Sequence, residues 1–243
     1  MKPAAGDLLI ELAGQSMWLL PERAAFWKER QTLLVADPHW GKAATFRAGG
    51  IPVPAGTTDD GLTRLVALTA RCRPRRIVFL GDFLHARAGR SDRMLETLRT
   101  WRADCPDVEL LLVRGNHDRH AGDPPGEMKI TCIDAPFVDP PFVFCHHPVE
   151  LPDGHVLAGH IHPAARLTGA GRQSLRLPCF FVGARTTVLP AFGDFTGLGD
   201  IEPEATDRIF VVAEDEVVRV ETTSAMRCDC ESSKTLPTTP PGR

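Results

Sequence analysis

Five apolar runs of strand length each end in a cluster of carboxylate, amide or imidazole side chains. The runs and the residues that follow them are TLLVA with Asp37 and His39, IVFLG with Asp82 and His85, LLLVRG with Asn116, His117 and Asp118, FVFC with His146 and His147, and VLAG with His160 and His162. Sites in open α/β sheets assemble at the carboxyl ends of strands. The recurrence therefore predicts a fold in which several strand ends converge on one site.

The order of strands and helices favours two sheets. Strand and helix alternate in the first half of the chain, as in parallel βαβ units, whereas the second half is nearly all strand. One helix is indicated by Leu62, Leu65, Val66 and Thr69, which fall on one helical face. Another is indicated after Ser91, which can serve as the N-cap of a helix with an apolar face. The predicted strands are LLIEL, SMWLL, AAFW, TLLVA, RIVFL, VELLLV, KITCI, FVFC, HVLAG, LRLPCFFV, RTTVLP, RIFVVA and VVRVE. We predict an α/β fold with two packed mixed sheets and helices outside.

The chain is expected to form a single domain over residues 1–221. Residues 222–243 contain too few apolar side chains to form a core, so we expect a disordered tail. Cys228 and Cys230 lie in this tail, and a metal or redox role for them is left open. The other cysteines lie beside or within apolar runs, where a free thiol behaves as a small hydrophobe.

Composition and charge limit the class of protein. No apolar segment approaches the roughly 20 residues of a membrane helix, and the N-terminus has acidic residues where a signal peptide needs an apolar run. A cytoplasmic protein with no membrane association is expected. The net charge is −3, but residues 61–120 hold 12 Arg against 7 Asp and Glu. This local excess would permit attraction of phosphates.

The clustered side chains are of the types that bind divalent transition metals. Carboxylate oxygen, amide oxygen and neutral imidazole suit Mn, Fe or Zn better than an all-oxygen Ca or Mg site. The seven candidate ligands are Asp37, His39, Asp82, Asn116, His146, His160 and His162. They exceed the capacity of one tetrahedral ion, so two ions sharing one carboxylate fit better. Two cations about 3.5 to 4 Å apart hold a phosphoryl oxygen and activate a hydroxide for in-line attack.

The same pattern has a simpler explanation at each position taken alone. Asp-Pro, Gly-Asp and GNHD are all ordinary turn sequences, and it is their shared position at strand ends that favours a site. Glycines 81, 115 and 159 allow the tight turns that would bring the clusters together. His120 and His155 lie outside the pattern and receive no role.

The chain resembles the calcineurin-like metallophosphoesterase superfamily over roughly residues 30 to 215. The resemblance lies in five motifs that occur in the same order: D-x-H, G-D-x-x-H, G-N-H-D, a strand-ending His and G-H-x-H. More narrowly, LLVADPHWGKAATFRAGGIPVP and LPAFGDFTG resemble the ligase-associated, PdeM-type metallophosphoesterases, which are described as DNA damage response endonucleases. The family fold is a four-layer αββα sandwich, which agrees with the mixed pattern above.

The resemblance implies a role for each motif residue. Asp37, His39 and His162 would bind one metal, Asn116, His146 and His160 the other, and Asp82 would bridge them. His117 would protonate the leaving group with Asp118 behind it, while His85 would support the site or touch substrate. In CHHP the first histidine is the expected ligand, and His147 is the alternative to His146.

These roles imply a binuclear phosphodiesterase with Mn²⁺ as the first choice of metal and Zn²⁺ or Fe as alternatives. The substrate would be a phosphate ester, with DNA in repair as the narrower expectation and a DNA ligase or helicase as a functional partner. A phosphomonoesterase or nucleotide phosphatase is the alternative enzyme, because the same ions serve both reactions. A non-catalytic scaffold would be expected to lose these motifs. Trp40 and Phe46 are candidates to stack on a base, although packing is the commoner use of both.

Overall fold

The protein is described from a computed structural model that covers residues 3–51, 57–168, 173–194 and 196–221. The tail predicted for residues 222–243, with Cys228 and Cys230, lies outside these residues. The described chain folds into two β-sheets that face each other, with helices against the first sheet.

The first sheet contains seven strands in the order of the sequence. They are β1 (Leu8–Leu12), β2 (Gln15–Leu20), β3 (Ala24–Trp27), β4 (Thr32–Val35), β5 (Arg76–Phe79), β6 (Glu109–Val113) and β7 (Ile130–Ile133). Strands β1 to β4 pair in antiparallel fashion, and β4 to β7 pair in parallel. The sheet is therefore mixed, and three of its four parallel strands, β4, β5 and β6, end side by side.

The second sheet contains nine strands from the rest of the chain. They are β8 (Phe137–Asp139), β9 (Phe142–Phe144), β10 (His155–Ala158), β11 (Pro163–Thr168), β12 (Ser174–Val182), β13 (Thr186–Val188), β14 (Gly199–Asp200), β15 (Arg208–Ala213) and β16 (Glu216–Val220). This sheet is mixed as well, because β9, β10 and β13 are parallel neighbours whereas β12 is antiparallel to β11, β13 and β15.

Four α-helices occur in the described residues, all within the half of the chain that builds the first sheet. They are α1 (Lys42–Ala48), α2 (Thr57–Cys72), α3 (Asp92–Asp104) and α4 (Asn116–Ala121). The Ser91 hydroxyl accepts a hydrogen bond from the Met94 N–H at 3.3 Å, as expected for an N-cap. Short 3-10 turns occur at Arg87–Gly89 and Gly126–Met128.

Alternation along the strands of the first sheet creates two separate cores. Successive side chains of a strand point to opposite faces, so Leu33 and Val35 pack with helices α2 and α3, whereas Leu34 packs against the second sheet. Trp27 contacts Phe142 of the second sheet edge to face, with 4.8 Å between ring centroids. The apolar strand runs thus form a sheet that is buried on both faces.

The structure contains each strand predicted from the sequence and several elements that the sequence pattern did not predict. Strands β8, β11 and β14 and the short helices α1 and α4 were not foreseen. No helix among the described residues is both long and apolar enough to cross a membrane.

Candidate metal centre

The segments that follow β4, β5, β6, β9 and β10 meet at one end of the sandwich. The segment after β4 runs beside the segment after β5, because the His39 N–H donates to the Asp82 carbonyl and the Trp40 N–H to the Phe83 carbonyl, both at 2.9 Å. Across the two sheets, the His160 N–H donates to the Asp37 carboxylate at 2.8 Å. All the candidate ligands are therefore brought to one place, as the strand-end pattern predicts.

The backbone at this site is held in an uncommon conformation. The site residues with positive φ are Asp37 (50°), His39 (48°), Asp82 (52°), His160 (72°) and His162 (48°). Non-glycine residues rarely adopt such angles, and each costs on the order of 1 kcal/mol or more. Such strain persists only when the surrounding structure enforces it, and it clusters at functional sites.

Three glycines leave room for the ligand side chains. A β-carbon at Gly159 would collide with the Asp37 carboxylate, one at Gly115 with Asp82, and one at Gly81 with the ring of His146. The sequence analysis expected tight turns at these glycines, but only Gly81 has a positive φ (86°). What all three share is the space that the absent β-carbon leaves for a ligand side chain.

The first donor group consists of Asp37, His39 and His162, whose ligand atoms lie within 4.8 Å of one another. His162 Nδ1 donates to the Gly197 carbonyl at 3.0 Å, so its Nε2 presents a lone pair. That Nε2, His39 Nε2 and Asp37 Oδ1 are all buried without a hydrogen-bond partner in the described structure. Buried polar atoms are normally satisfied. Three such atoms in one donor group are the arrangement that a divalent cation would satisfy.

The second donor group consists of Asn116, His146 and His160. His146 Nδ1 donates to the Leu80 carbonyl at 3.0 Å, so its Nε2 is free to face Asn116 Oδ1 at 2.9 Å and His160 Nδ1 at 3.1 Å. Asp82 lies between the two groups, with one oxygen 3.5 Å from His146 Nε2 and the other 3.6 Å from His39 Nε2. The geometry thus provides two adjoining donor groups that could hold metal ions.

The electrostatics of the site fit cation binding. Burial, followed by the negative charge of Asp82, raises the pKa of Asp37 well above its ordinary value, and burial raises the pKa of Asp82 too. Burial lowers the pKa of His146 to about 4 and holds that of His39 far below its usual range. These imidazoles are therefore neutral near pH 7, which is the form that binds metals.

The acid predicted at His117 has a different orienting partner from the one expected. Its Nδ1 lies 2.8 Å from the carbonyl oxygen of His85, and its ring stacks on the His85 ring with centroids 4.7 Å apart. Asp118 instead accepts backbone hydrogen bonds from Gly115 at 2.9 Å and Leu84 at 3.2 Å. The predicted pairing of Asp118 with His117 is wrong because both carboxylate oxygens are used to join two loops.

Three further histidines, at positions 147, 120 and 155, lie at different distances from the two donor groups. His147 is exposed, but it lies beside the second donor group, because its ligand atom and those of His146 and His160 lie within 4.8 Å of one another. His120 is exposed on α4, and its Nδ1 lies 2.8 Å from the Asn116 carbonyl oxygen. His155 begins β10, at the opposite end of the strand from the site, and its Nε2 lies 2.8 Å from the Thr187 hydroxyl.

Trp40 and Phe46, the aromatic residues beside the first motif, differ in how far they are buried. Trp40 is 2% exposed and packs edge to face on Phe83 and Phe192, so it cannot stack on a base and the packing interpretation is correct. Phe46 is half-buried, and its ring centroid lies 5.9 Å from that of His85.

Lys42 is a site residue that the sequence reasoning missed. Its backbone N–H donates to the His39 carbonyl at 3.1 Å, and its ammonium lies 5.8 Å from the Phe46 ring centroid. Burial lowers its pKa, while the carboxylates of Asp82 and Asp37 oppose that shift. No carboxylate of the described residues forms an ion pair with it. The available signal was its position directly after Gly41, at the start of a short helix beside the D-x-H motif.

Comparison with known proteins agrees with this arrangement. The nuclease MPE from Pseudomonas putida, whose crystal structure is known, is 40% identical to this chain in sequence. The match covers 88% of this chain and 100% of the MPE chain, and the two structures superpose with a TM-score of 0.77. This chain belongs to the metallophosphoesterases. Yfce, a phosphoesterase from E. coli, is 13% identical in sequence, and the match covers 79% of this chain and 99% of Yfce with a TM-score of 0.38. No family model and no curated protein sequence matches the chain.

Membership confirms the family and the fold class predicted from the sequence. The two facing mixed sheets, with helices packed against the first, are the calcineurin-like phosphoesterase fold. The metallophosphoesterase described here is accordingly a hydrolase of phosphoric ester bonds, and its cluster of Asp and His residues could hold divalent metal.

We expect Gly159→Ala to weaken metal binding and activity, because the added methyl group would push on the Asp37 carboxylate. A displacement of about 1 Å in a site can cost on the order of a hundredfold in rate. Gly126→Ala is the matched control, since a β-carbon there meets nothing within 4 Å. Elemental analysis and ester hydrolysis check the result, and wild-type metal content in Gly159→Ala would contradict it.

Proposed function

We propose that this metallophosphoesterase hydrolyses phosphodiesters with two divalent metal ions and that its substrate is DNA. The observation that supports two ions best is the set of three buried, unpartnered atoms in the first donor group, with a second donor group beside it. Asp82 reaches toward both groups, since its two oxygens lie 3.5 and 3.6 Å from imidazole nitrogens of His146 and His39.

The proposed ligands follow the two donor groups. Asp37, His39 and His162 would hold one ion, Asn116, His146 and His160 the other, and Asp82 would be shared. Mixed nitrogen and oxygen donors favour Mn²⁺, with Zn²⁺ or Fe as alternatives. When bound, two such ions polarise the phosphoryl group and lower the pKa of the attacking water.

Buried His146, rather than exposed His147, is proposed as the ligand. The Leu80 carbonyl fixes the His146 tautomer and leaves Nε2 directed at Asn116. A backbone acceptor on the outer ring nitrogen is the usual support for a metal-binding histidine. His147 has no hydrogen bond of this kind among the described residues.

His117 is proposed to protonate the leaving oxygen. The His85 carbonyl holds its Nδ1, so Nε2 is the atom that would hold and release the proton. Its backbone N–H donates to the Asp82 carboxylate at 2.9 Å, which fixes the residue beside the donor groups. His85, stacked on His117, would border the substrate, and Asp118 would hold the loop in place.

Lys42 is proposed to bind a non-bridging oxygen of the substrate phosphate. Its ammonium lies over Phe46, and Phe46 contacts His85, so the charge is beside the acid and the donor groups. An ammonium with no carboxylate partner is available to a phosphate, and such charge-assisted hydrogen bonds are strong ones.

The substrate class is supported by similarity and by charge. The Pseudomonas putida protein at 40% identity is a nuclease. Near the site, the exposed side chains of Arg47, Arg87 and Arg119 form no ion pair with a carboxylate of the described residues. Several arginines of the basic stretch 61–120 are instead neutralised, such as Arg71 by Asp7 and Glu22, and Arg114 by Asp123. A role in DNA repair beside a ligase or helicase is proposed from the family resemblance alone.

We expect metal-stripped enzyme to recover phosphodiesterase activity when Mn²⁺ is restored, with two ions bound per chain. A panel of Mn²⁺, Zn²⁺, Fe²⁺ and Mg²⁺ against nitrophenyl mono- and diesters, nucleotides and DNA measures both metal and substrate preference. Cleavage of DNA should weaken steeply with salt, because each phosphate contact releases counterions. A preference for monoesters, with DNA left intact, would instead show a phosphatase.

Lys42→Ala should reduce kcat/KM for a nitrophenyl diester and for DNA alike, by about tenfold to a hundredfold, since a hydrogen bond from a charged group contributes about 1.5 to 3 kcal/mol. Arg119→Ala is the matched variant, because its exposed side chain should contact only the flanks of a long substrate. It should lower activity on DNA while sparing the small diester. Equal behaviour of the two variants on both substrates would contradict these assignments.

His117→Ala should cost much more on an alkyl or nucleotide diester than on a nitrophenyl diester. A poor leaving group needs the proton, and general acid catalysis contributes about 10²- to 10⁴-fold. Metal content should stay at the wild-type level, and His120→Ala, on the same helix, is the control. Equal losses on both substrates would mean that His117 stabilises phosphoryl charge, and loss of metal would make it a ligand.

A further inference from the structure

The segment from Phe192 to Asp194, continued by Thr196 and Gly197, contacts two members of the first donor group. The Phe192 N–H donates to the Ala36 carbonyl at 2.8 Å, and the Gly193 N–H to the Asp37 carbonyl at 3.1 Å. At its other end, the Gly197 carbonyl accepts the hydrogen bond from His162 Nδ1 at 3.0 Å. We call residues 192–194 and 196–197 the supporting segment. It fixes the backbone of Asp37 and the ring of His162.

The supporting segment is itself held by one arginine from a distant part of the chain. Arg64, on helix α2, donates to the Phe192 carbonyl at 2.5 Å and lies 3.3 Å from an Asp194 carboxylate oxygen. Its guanidinium also covers the ring of buried Phe192, with 4.6 Å to the centroid. Three kinds of contact with one short segment fix both its position and its orientation.

The other oxygen of Asp194 is taken by a second arginine. Arg23 lies 3.3 Å from it, so the carboxylate connects the β2–β3 turn, helix α2 and the supporting segment. The side chains of Arg23, Arg64 and Asp194 are 21–29% exposed. Ion pairs of this kind contribute little to overall stability. A local effect on the geometry of the segment is therefore what this arrangement can provide.

We infer that Asp194 and Arg64 are positioning residues that hold Asp37 and His162 in place for the first metal ion. This inference rests on the proposed function. Asp37 Oδ1 and His162 Nε2 are buried without partners, so the protein alone gains nothing from keeping them together. The supporting segment supplies the constraint, and Asp194 with Arg64 holds that segment against helix α2. Neither residue is placed in contact with the substrate.

The direct test is the metal content of Asp194→Asn, which removes the charge but keeps the shape. Outer partners of metal ligands typically contribute about 10- to 100-fold to metal affinity. We expect that loss for one of the two Mn²⁺ ions in equilibrium dialysis, while the other ion is retained. Electron paramagnetic resonance should change from a spin-coupled pair to a single Mn²⁺ ion, which is independent of turnover.

Asp139→Asn is the matched control. Asp139 pairs with Arg76 at 2.5 Å and is somewhat more buried than Asp194, at 14% against 25% exposed, but Arg76 begins β5 at the end of the strand away from the site. Both variants lose a carboxylate–arginine pair, so a general effect of instability would appear in both. Only Asp194→Asn should lose metal.

Arg64→Met and Arg64→Lys extend the test if Asp194→Asn does not fold. Arg64→Met should lose the same ion, because it removes the contacts with the Phe192 carbonyl and with Asp194 together. If Asp194→Asn does fold, the loss in the double variant should be smaller than the sum of the two single losses, since the Arg64–Asp194 contact is shared. Arg64→Lys keeps the charge but loses the planar guanidinium that reaches both Phe192 and Asp194. Its affinity for the ion should lie between that of Arg64→Met and that of the wild type.

The outcomes separate the inference from the proposed function. If the wild-type enzyme binds two ions and folded Asp194→Asn binds both with wild-type affinity, the positioning role is wrong and the binuclear proposal stands. If the wild-type enzyme binds one ion, the binuclear proposal fails. The positioning role is then decided by whether Asp194→Asn loses that single ion.

Discussion

Burial of two carboxylates with few positive charges nearby is the constraint on which this end of the molecule depends. Asp37 is 0% and Asp82 is 2% exposed, and Asp37 is further disfavoured by the charge of Asp82. Burying unpaired charge is costly, yet the fold adds backbone strain at both residues. Such a site lowers the free energy of unfolding unless a cation is bound. The arrangement of these carboxylates therefore suits metal binding better than it suits the stability of the protein alone.

The strands and the site were predictable because each depends on local sequence. Apolar runs such as TLLVA and RIVFL become strands that are buried on both faces, and the polar residues that follow them reach one place through parallel pairing. Helices α1 and α4 were missed because seven and six residues are too few to show helical periodicity. Strand β11 was missed because PAARLT begins with proline and lacks a clear apolar pattern.

The features that could not be predicted from the sequence depend on contacts between residues that are distant along the chain. Asp118 follows His117 directly, but its carboxylate accepts hydrogen bonds from Leu84 and Gly115, which only the folded loops bring near. Arg64 and Asp194 are 130 residues apart. The basic stretch shows the same limit, because a charge count includes arginines that are paired, such as Arg71 and Arg114, together with those that face solvent near the site.

Each donor group takes ligands from both sheets. Asp37, His39 and Asn116 follow strands of the first sheet, whereas His146, His160 and His162 follow strands of the second. An ion in either group would therefore join the two sheets at the end where their strands finish in loops. Because a ligand that binds only the folded state stabilises that state, bound metal would close this end of the sandwich. Bound metal would thus serve both the proposed catalytic geometry and the contact between the two sheets at this end.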